Sequence, residues 1–457
     1  MEKDLRRPSL AREIISLAWP TMAEQLMYTA VQYIDTAMVG SLGTAAVAAV
    51  GSTTTVNWLI GSTINAFGVG FLSYISRSRG AGKAEKVRSA SVQAILISIV
   101  IGLCFTCLTL SLSGVIPVWM QVDEAIRPLA GRYFFILYLP TLFRTAMIIF
   151  GAELRAVGDT KTPMRVGIIM NVVNVVLNFL LIFKTRQLSL FGLSFVLPGL
   201  GRGVSGAAEA SAVSFIVGAL LISRAVWRHP ELTPRGQRLR PDKEVLLAAL
   251  RVAIPNMFQR FATSLGYVAF AAMINSLGEI STAAHTVANT VESAFYVPGY
   301  GMQAAAATLT GEAVGAGRKK RKDALSGMII IIEVSLMTVS GALLFIFAPQ
   351  MASLFSDDAE VISLGSLVLR MVALSEPFYG VSIVIEGMMQ GEGETRLPFV
   401  FNVIGMWLVR IVGTYICTRR LGLGLEYAWG CMIAHNLILF ICYSVCHRIR
   451  RRKGAML

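Results

Sequence analysis

Charged side chains are scarce in this chain. They make up 15% of its 457 residues, against 55% apolar residues, and only 27 residues are acidic. The apolar residues lie in runs of the length that crosses a bilayer, about 20 residues. This composition excludes an ordinary soluble domain and indicates a multi-pass helical membrane protein. The net charge of +14 does not indicate a nucleic-acid partner, because the basic residues flank the apolar runs.

Cysteines and catalytic motifs are scarce as well. The six cysteines lie in or beside apolar runs, without the spacing of a disulfide framework or a zinc site. The stretch Gly80–Lys83 lacks the GxxxxGKS/T pattern of a phosphate-binding loop. We therefore expect no enzyme, no cofactor and no ATP-driven step, and an ion gradient is the remaining energy source.

Twelve apolar segments are predicted to be transmembrane helices. The loops after even-numbered segments are basic, which places them in the cytoplasm together with both termini and the 224–246 linker. We expect a monomer in the cell membrane, surrounded by lipid. The predicted spans are residues 14–39, 45–75, 90–112, 128–151, 164–183, 206–226, 247–274, 283–310, 325–348, 361–389, 398–417 and 425–447.

The chain repeats itself at a constant offset of 235 residues. Pro20 corresponds to Pro255, Gly80–Gly82 to Gly315–Gly317, and Gly158–Pro163 to Gly393–Pro398. Each half then holds six spans, and a parallel repeat of this kind is a recurrent architecture of secondary transporters. We predict an N-lobe at 1–223, a cytoplasmic linker at 224–246 and a C-lobe at 247–457, with a central cavity between the lobes.

Asp35 is an acidic residue inside the first apolar segment. An intramembrane carboxylate is costly unless it is solvated, paired or protonated, so Asp35 is a candidate proton or sodium site. The alternative is a structural carboxylate that pairs with a neighbouring helix. Pro20 is a predicted hinge. Side chains on or near the face of Asp35 are predicted to line a substrate cavity. They are Gln25, Tyr28, Gln32 and Met38.

Two asparagines of the fifth span, Asn174 and Asn178, are one turn apart on one helix face. Their amides can reach Asp35, or they can join helices by hydrogen bonds, which is frequent in membranes. Ser211 in the sixth span is a weaker candidate, since the small residues around it indicate close packing.

Other ionisable residues lie at membrane depth. Glu376 and Arg410 are predicted to form a charged pair. The sequence assigns no role to a further set of charged residues, namely Glu209, Arg260, Glu292, Glu333 and Glu386.

Together these motifs resemble the multidrug and toxic compound extrusion (MATE) family. The resemblance rests on a proline followed fifteen residues later by the Asp of YIDTAMVGSLG, on GAGK/GAGR after spans 2 and 8, and on GDTKTP/GETRLP after spans 4 and 10. It implies twelve helices in two lobes, a V-shaped cavity, and export of organic, often cationic, compounds in exchange for H⁺ or Na⁺. By position, Asp35 matches the first-helix carboxylate, Pro20 the bend beneath it, Asn174 and Asn178 the fifth-helix polar pair, and Ser211 the sixth-helix hydroxyl.

Two departures bear on the subtype. Asn178 stands where some DinF-like and archaeal members have Asp. The seventh span reads Asn256–Arg260, and the tenth has Tyr379, where NorM-like members have a Glu and an Asp. The resemblance is therefore closer to DinF-like members, and we expect proton-driven coupling confined to the N-lobe, with Na⁺ at Asp35 as the one metal alternative.

Two other functions stay open. One is a related flippase for a lipid-linked precursor. The other, from a different class, is a non-transporting membrane scaffold, which would have no need for a polar stripe at membrane depth.

Overall fold

The structure, a computed structural model, describes residues 7–190, 193–237 and 239–453. The apolar runs form long helices, in which every interior backbone N–H and C=O group is paired within its own segment, as a bilayer demands. The helices of the first half are α1 (Arg7–Gly40), α2 (Thr44–Gly80), α3 (Ala84–Leu112), α4 (Ile116–Trp119), α5 (Arg127–Tyr138), α6 (Thr141–Ala156), α7 (Lys161–Leu181) and α8 (Gly203–Arg228).

The second half is also helical. Its helices are α9 (Lys243–Asn275), α10 (Glu279–Gly315), α11 (Lys319–Ser353), α12 (Ala359–Ala373), α13 (Glu376–Glu392), α14 (Arg396–Ile404), α15 (Val412–Tyr415) and α16 (Leu425–Lys453). Two π-helical segments, Gly405–Ile411 and Ile416–Arg420, flank α15 and join it to α14 as one span. A π-helix bonds each residue to the fifth one along, so side chains after such a segment leave the α-helical register.

A β-hairpin separates α7 from α8. Its antiparallel strands are β1 (Lys184–Leu190) and β2 (Leu193–Leu200), with Lys184 opposite Leu200. No element was predicted between the fifth and sixth spans, so the hairpin is an addition to the predicted all-helical fold.

The described helices account for the twelve predicted spans. Seven are long and apolar enough to cross a membrane, and two bent pairs, α5 with α6 at 48° and α12 with α13 at 54°, qualify as broken spans. The three remaining spans are α1, α9 and α10, which are 34, 33 and 37 residues long and carry more polar residues.

The internal repeat is visible in the helix boundaries. Each bound of α2 lies 235 residues before the matching bound of α10. The turns repeat as well: Gly43 and Gly278 have φ angles of 109° and 106°, and Gly158 and Gly393 have φ angles of 83° and 86°. These angles lie in the region that only glycine adopts readily, so the same turn chemistry ends corresponding helices in both halves.

The helices group into two compact units. The N-unit comprises Leu26–Phe71 and Ala84–Leu247, and the C-unit comprises residues up to Gln25, Leu72–Lys83 and residues from Ala248 onward. Both α1 and α2 therefore contribute residues to both units. The predicted lobes follow the repeat instead, and they differ from these units at the beginning of α1 and the end of α2.

Each unit has its own apolar core. In the N-unit, Ile64, Phe134 and Tyr138 are fully buried in one cluster. In the C-unit, Phe270 and Trp429 are the largest side chains of the corresponding cluster. Aromatic side chains of this size supply much of the burial that fixes helices against each other.

Candidate functional site

Asp35 accepts a hydrogen bond from a neighbouring helix of the N-unit. The Nδ2 atom of Asn178 on α7 lies 2.5 Å from Oδ1 of Asp35 on α1. An amide nitrogen can only donate, so this contact favours the ionised carboxylate. Within the described residues no basic side chain pairs with Asp35. The arrangement leaves one negative charge that a cation can neutralise.

The hydrogen bond continues into a chain across three helices. Asn178 also donates from Nδ2 to Oδ1 of Asn174, 3.1 Å away, and Asn174 donates to Oγ of Ser211 on α8, 3.2 Å away. Both asparagines are buried, whereas Asp35 and Ser211 are half-buried. Since both hydrogens of the Asn178 amide are used, its orientation is fixed. The structure thus brings together all four residues predicted for the cation site.

Oxygen atoms at this site are suited to a hard cation. Oδ1 of Asn178 is buried and has no hydrogen-bond partner, and it belongs to the same amide that holds Asp35. Carboxylate and amide oxygens are the ligands that hard cations prefer. The described residues contain no cluster of three or more His, Cys, Asp or Glu side chains that could hold a metal ion.

The residues predicted for the substrate cavity differ in exposure. Gln25 and Gln32 are exposed and Tyr28 is half-buried, as a polar helix face requires. Met38 is 8% exposed and packs in the apolar core of the N-unit, not on the open face predicted for it. Three residues beyond Asp35 the helix has turned by about 300°, so Met38 lies about 60° from Asp35 around the axis, on the side that packs into the core of the N-unit.

Pro20 lies within α1, in the part that belongs to the C-unit. The helix continues through it. Next to it, the Thr21 hydroxyl lies 2.9 Å from the backbone oxygen of Gly301 on α10, which ties this part of α1 to the C-unit. The predicted hinge remains a prediction.

A basic residue, Arg144 on α6, lies in the same unit as Asp35. Its Nη1 atom donates to Oδ1 of Asn57, 2.6 Å away, and its guanidinium stacks 5.3 Å from the ring centroid of Phe215. Tyr138 donates to the same Asn57 oxygen. Asn57 could not be singled out in the sequence, because a lone amide in an apolar run has no distinctive spacing.

Both carboxylate oxygens of Glu386, in the C-unit, accept hydrogen bonds. Gln259 and Gln390 donate to Oε1 of Glu386, at 2.9 and 3.0 Å, while Asn402 and Tyr443 donate to Oε2, both at 3.3 Å. The donors come from four segments of the C-unit. The hydrogen bonds of Glu386 therefore hold α9, α13, α14 and α16 together.

Glu376 and Arg410 do not form the predicted pair. Both carboxylate oxygens of Glu376 are buried without a hydrogen-bond partner. The Arg410 guanidinium lies 4.2 and 4.8 Å from the ring centroids of Phe270 and Tyr267, and its electrostatic partner is Glu292. Arg410 lies in the π-helical segment Gly405–Ile411, so the direction of its side chain does not follow α-helical spacing.

Two of the remaining charged residues, Glu209 and Arg260, have local partners. Both oxygens of Glu209 accept from Nη1 of Arg202 at 2.7 Å, and Arg260 donates to Oδ1 of Asn256 at 2.9 Å.

Glu153 was missed because it follows the predicted fourth span. It is fully buried on α6 and accepts a hydrogen bond from Ser91, 3.1 Å away.

Known proteins resemble this chain over nearly its whole length. The sequence model of the MatE family matches residues 20–180 and 255–416, one match in each half. A probable multidrug resistance protein NorM of Thermotoga maritima is 27% identical over 427 residues, which are 93% of this chain and 90% of that protein. A probable multidrug resistance protein YoeA of Bacillus subtilis is 24% identical and covers 98% of this chain and 96% of its own length.

Solved structures share the fold. A crystal structure of MATE in complex with MaL6 superposes with a TM-score of 0.90 at 23% identity, covering 99% of both chains. A MOP superfamily transporter from Pyrococcus furiosus gives a TM-score of 0.88 at 24% identity, covering 98% of this chain and 97% of that one. The predicted MATE-like helical fold is confirmed, and by the match of the family model to both halves this chain belongs to the MatE family.

Proposed function

We propose that this protein is a secondary active transporter that exports organic, often cationic, compounds in exchange for protons or sodium ions. The observation that carries the proposal is the Asp35 site, where an unpaired carboxylate is held by the Asn178 amide at membrane depth. The names of the relatives, probable multidrug resistance proteins, support the substrate class.

The site supplies a simple coupling rule. Ionised Asp35 is compatible with an organic cation nearby, whereas a proton or Na⁺ on Asp35 removes the negative charge that attracts it. Binding of either cation changes the equilibrium between conformations only through its different affinity for them. If Asp35 interacts with either the substrate or the coupling ion but not with both at once, entry of the ion drives release of the substrate. Export is then linked to the ion gradient.

The membrane orientation is part of the proposal. Basic residues near the α2–α3 and α10–α11 turns, in the linker and at the C-terminal end support a cytoplasmic position for these segments in the cell membrane. Substrate would be taken up from the cytoplasm by alternating access of two lobes.

The test is counterflow of radiolabelled tetraphenylphosphonium in proteoliposomes, with the pH gradient and the sodium gradient imposed separately. We expect wild type to export against a concentration gradient with one of the two, and Asp35→Asn to lose gradient-driven export while remaining monodisperse. The matched control is Asp357→Asn, which neutralises an exposed aspartate after α11 and should leave export unchanged.

Retention of full gradient-driven export by Asp35→Asn would overturn the coupling mechanism. Movement of a fluorescent lipid between leaflets without dependence on either ion, and without export of the organic cation, would favour the flippase instead.

A further inference from the structure

Two carboxylates of the C-unit have no hydrogen-bond partner among the residues that the structure describes. Glu333 on α11 is 0% exposed and Glu376 at the start of α13 is 1% exposed, and all four of their oxygens lack a hydrogen-bond partner. A buried ionised carboxylate is stable only when it is paired and hydrogen-bonded. Glu386 in the same unit meets that condition with four donors, whereas Glu333 and Glu376 do not.

The backbone around Glu333 leaves space for its carboxyl group. A Cβ atom at Gly299 of α10 or at Gly380 of α13 would lie 2.9 Å from Oε1 of Glu333. The two glycines therefore form a notch between two helices, into which the third helix, α11, inserts its acid. Met337 and Ile383 also border the notch and provide no oxygen ligand.

Glu376 is close to this notch. It lies one helical turn before Gly380 on the same face of α13, and it interacts electrostatically with Glu333 and with Glu292 of α10. It also stands at the 54° break between α12 and α13. Broken spans are where membrane transporters place ion sites, because the interrupted backbone must line a cavity or be buried in protein.

The repeat shows that this acidic set belongs to one half of the chain. Glu292, Glu333 and Glu376 stand at offset 235 from neutral polar residues. Their counterparts are Asn57, Ser98 and Thr141, and the counterpart of Asp35 is the buried Phe270. The two halves thus carry acids at different positions of the same helical frame.

The titratable groups around these acids lie on α10, on the π-helical segment Gly405–Ile411 and on α16. Arg410 interacts with Glu292, and the half-buried His285 and the buried His435 interact with Arg410. Tyr296 of α10 interacts with both Glu292 and Glu376. The positive charge of Arg410 is therefore engaged by Glu292, and the described part of the chain offers Glu333 and Glu376 no counterion.

We propose that Glu333 and Glu376 form a second proton-binding site, in the C-unit, at the junction of α10, α11 and α13. A proton neutralises a carboxyl group without further ligands, whereas Na⁺ needs several oxygen atoms, and the Gly299–Gly380 notch is bordered by apolar side chains. That Glu333 and Glu376 bind protons does not depend on the proposed function. That this second site contributes a proton to each transport cycle does rest on the proposed function.

The first test needs no substrate. Infrared spectra of purified protein at neutral pH contain the C=O stretching band of protonated carboxylic acids. We expect this band to decrease in Glu333→Gln and Glu376→Gln and to decrease further in the double variant. Asp35→Asn and the exposed control Glu360→Gln should not reproduce that loss.

An unchanged band in a monodisperse double variant would overturn the proposal. Loss of the wild-type band on adding sodium at constant pH would overturn it too, since the ligand would then be Na⁺. If a glutamine variant does not fold, Glu376→Asp keeps an acid at the site and should shift the band, and an unshifted band contradicts the proposal.

The second test measures the protons moved per tetraphenylphosphonium exported, from the pH gradient that just stops export in proteoliposomes. We expect fewer protons per substrate in Glu376→Gln than in wild type. An unchanged ratio together with the infrared loss would overturn the coupling role alone. Absence of export by wild type would instead contradict the proposed function, and the infrared result would stand.

Discussion

Asn178 donates a hydrogen bond to Asp35 over 2.5 Å, across the interface of α7 and α1 within the N-unit. The donor is itself buried and held by Asn174, so the contact is preorganised before any cation binds. A hydrogen bond to a charged group contributes about 1.5–3 kcal/mol, roughly twice as much as a neutral one. The strength of this hydrogen bond therefore affects how readily the ionised Asp35 carboxylate takes up a proton.

Replacing the donor should change the pH dependence of export. In Asn178→Ala the ionised form of Asp35 loses its donor, while the protonated form loses little. Since one pH unit corresponds to about 1.4 kcal/mol, we expect the pH of half-maximal export to rise by about one unit. The measurement is export of tetraphenylphosphonium from proteoliposomes over a pH series.

Asn171→Ala provides the matched control. Asn171 lies on the same helix and is also buried, but its Nδ2 atom has no partner and does not contact Asp35. Its replacement should leave the pH profile in place. A profile that moves to lower pH in Asn178→Ala, or that moves equally in both variants, would contradict this role of Asn178.

The N-unit site could be predicted from the sequence because its signals are local. An acid in an apolar run is conspicuous, and the four-residue spacing of Asn174 and Asn178 defines a helix face. The predicted Glu376–Arg410 pair was wrong because Arg410 interacts with Glu292 instead, and the sequence does not show which acid packs beside Arg410. Glu333 could be noticed in the sequence, but its lack of partners depends on packing among three helices. The burial of Met38 in the N-unit core depends on which neighbouring helix covers it, and the sequence does not show that.

Close backbone contact between α2 and α10 gives a prediction about stability. Within the C-unit, a Cβ atom on Gly80 would overlap with the backbone oxygen of Glu312, and one on Gly315 would overlap with that of Arg77. Because backbone cannot move aside as a flexible side chain can, overpacking of about 1–3 kcal/mol is expected. We expect Gly80→Ala and Gly315→Ala each to lower the thermal unfolding temperature in detergent by several degrees.

Gly327→Ala is the control for this pair. Gly327 is within α11 and has no neighbouring atom within 4 Å of an added Cβ. Since alanine is favoured over glycine in a helix by about 1 kcal/mol, the unfolding temperature should stay level or rise slightly. Equal destabilisation by all three variants would mean that close approach of α2 and α10 is not the cause.

Glu386 should respond to substitution differently from the unpartnered acids. Truncation in Glu386→Ala leaves the donors of Gln259, Gln390 and Tyr443 without their acceptor, and each unsatisfied buried group costs about 1–3 kcal/mol. Asn402 keeps two other acceptors, the backbone oxygen of Pro398 and the Tyr443 hydroxyl. We expect a large loss of monodisperse protein on size-exclusion chromatography. Glu333→Gln, which replaces an acid without partners, should retain most of it. The reverse order would show that Glu386 is dispensable for the C-unit.

Arg410 and Glu292 should be coupled energetically. Their charges interact inside the C-unit, where Arg410 is 3% exposed and also stacks on Tyr267 and Phe270. Removing one member leaves an uncompensated buried charge, which costs about 3–5 kcal/mol, whereas removing both leaves none. Arg410→Met and Glu292→Gln should therefore each lower the unfolding temperature, and the double variant should lose less than the two single losses combined. The comparison cycle pairs Arg410→Met with Glu333→Gln. Here we expect additive losses, because Glu333 shows no electrostatic interaction with Arg410. Additivity in the first cycle would show that the Arg410 guanidinium is held by the two rings alone and that Glu292 needs another counterion.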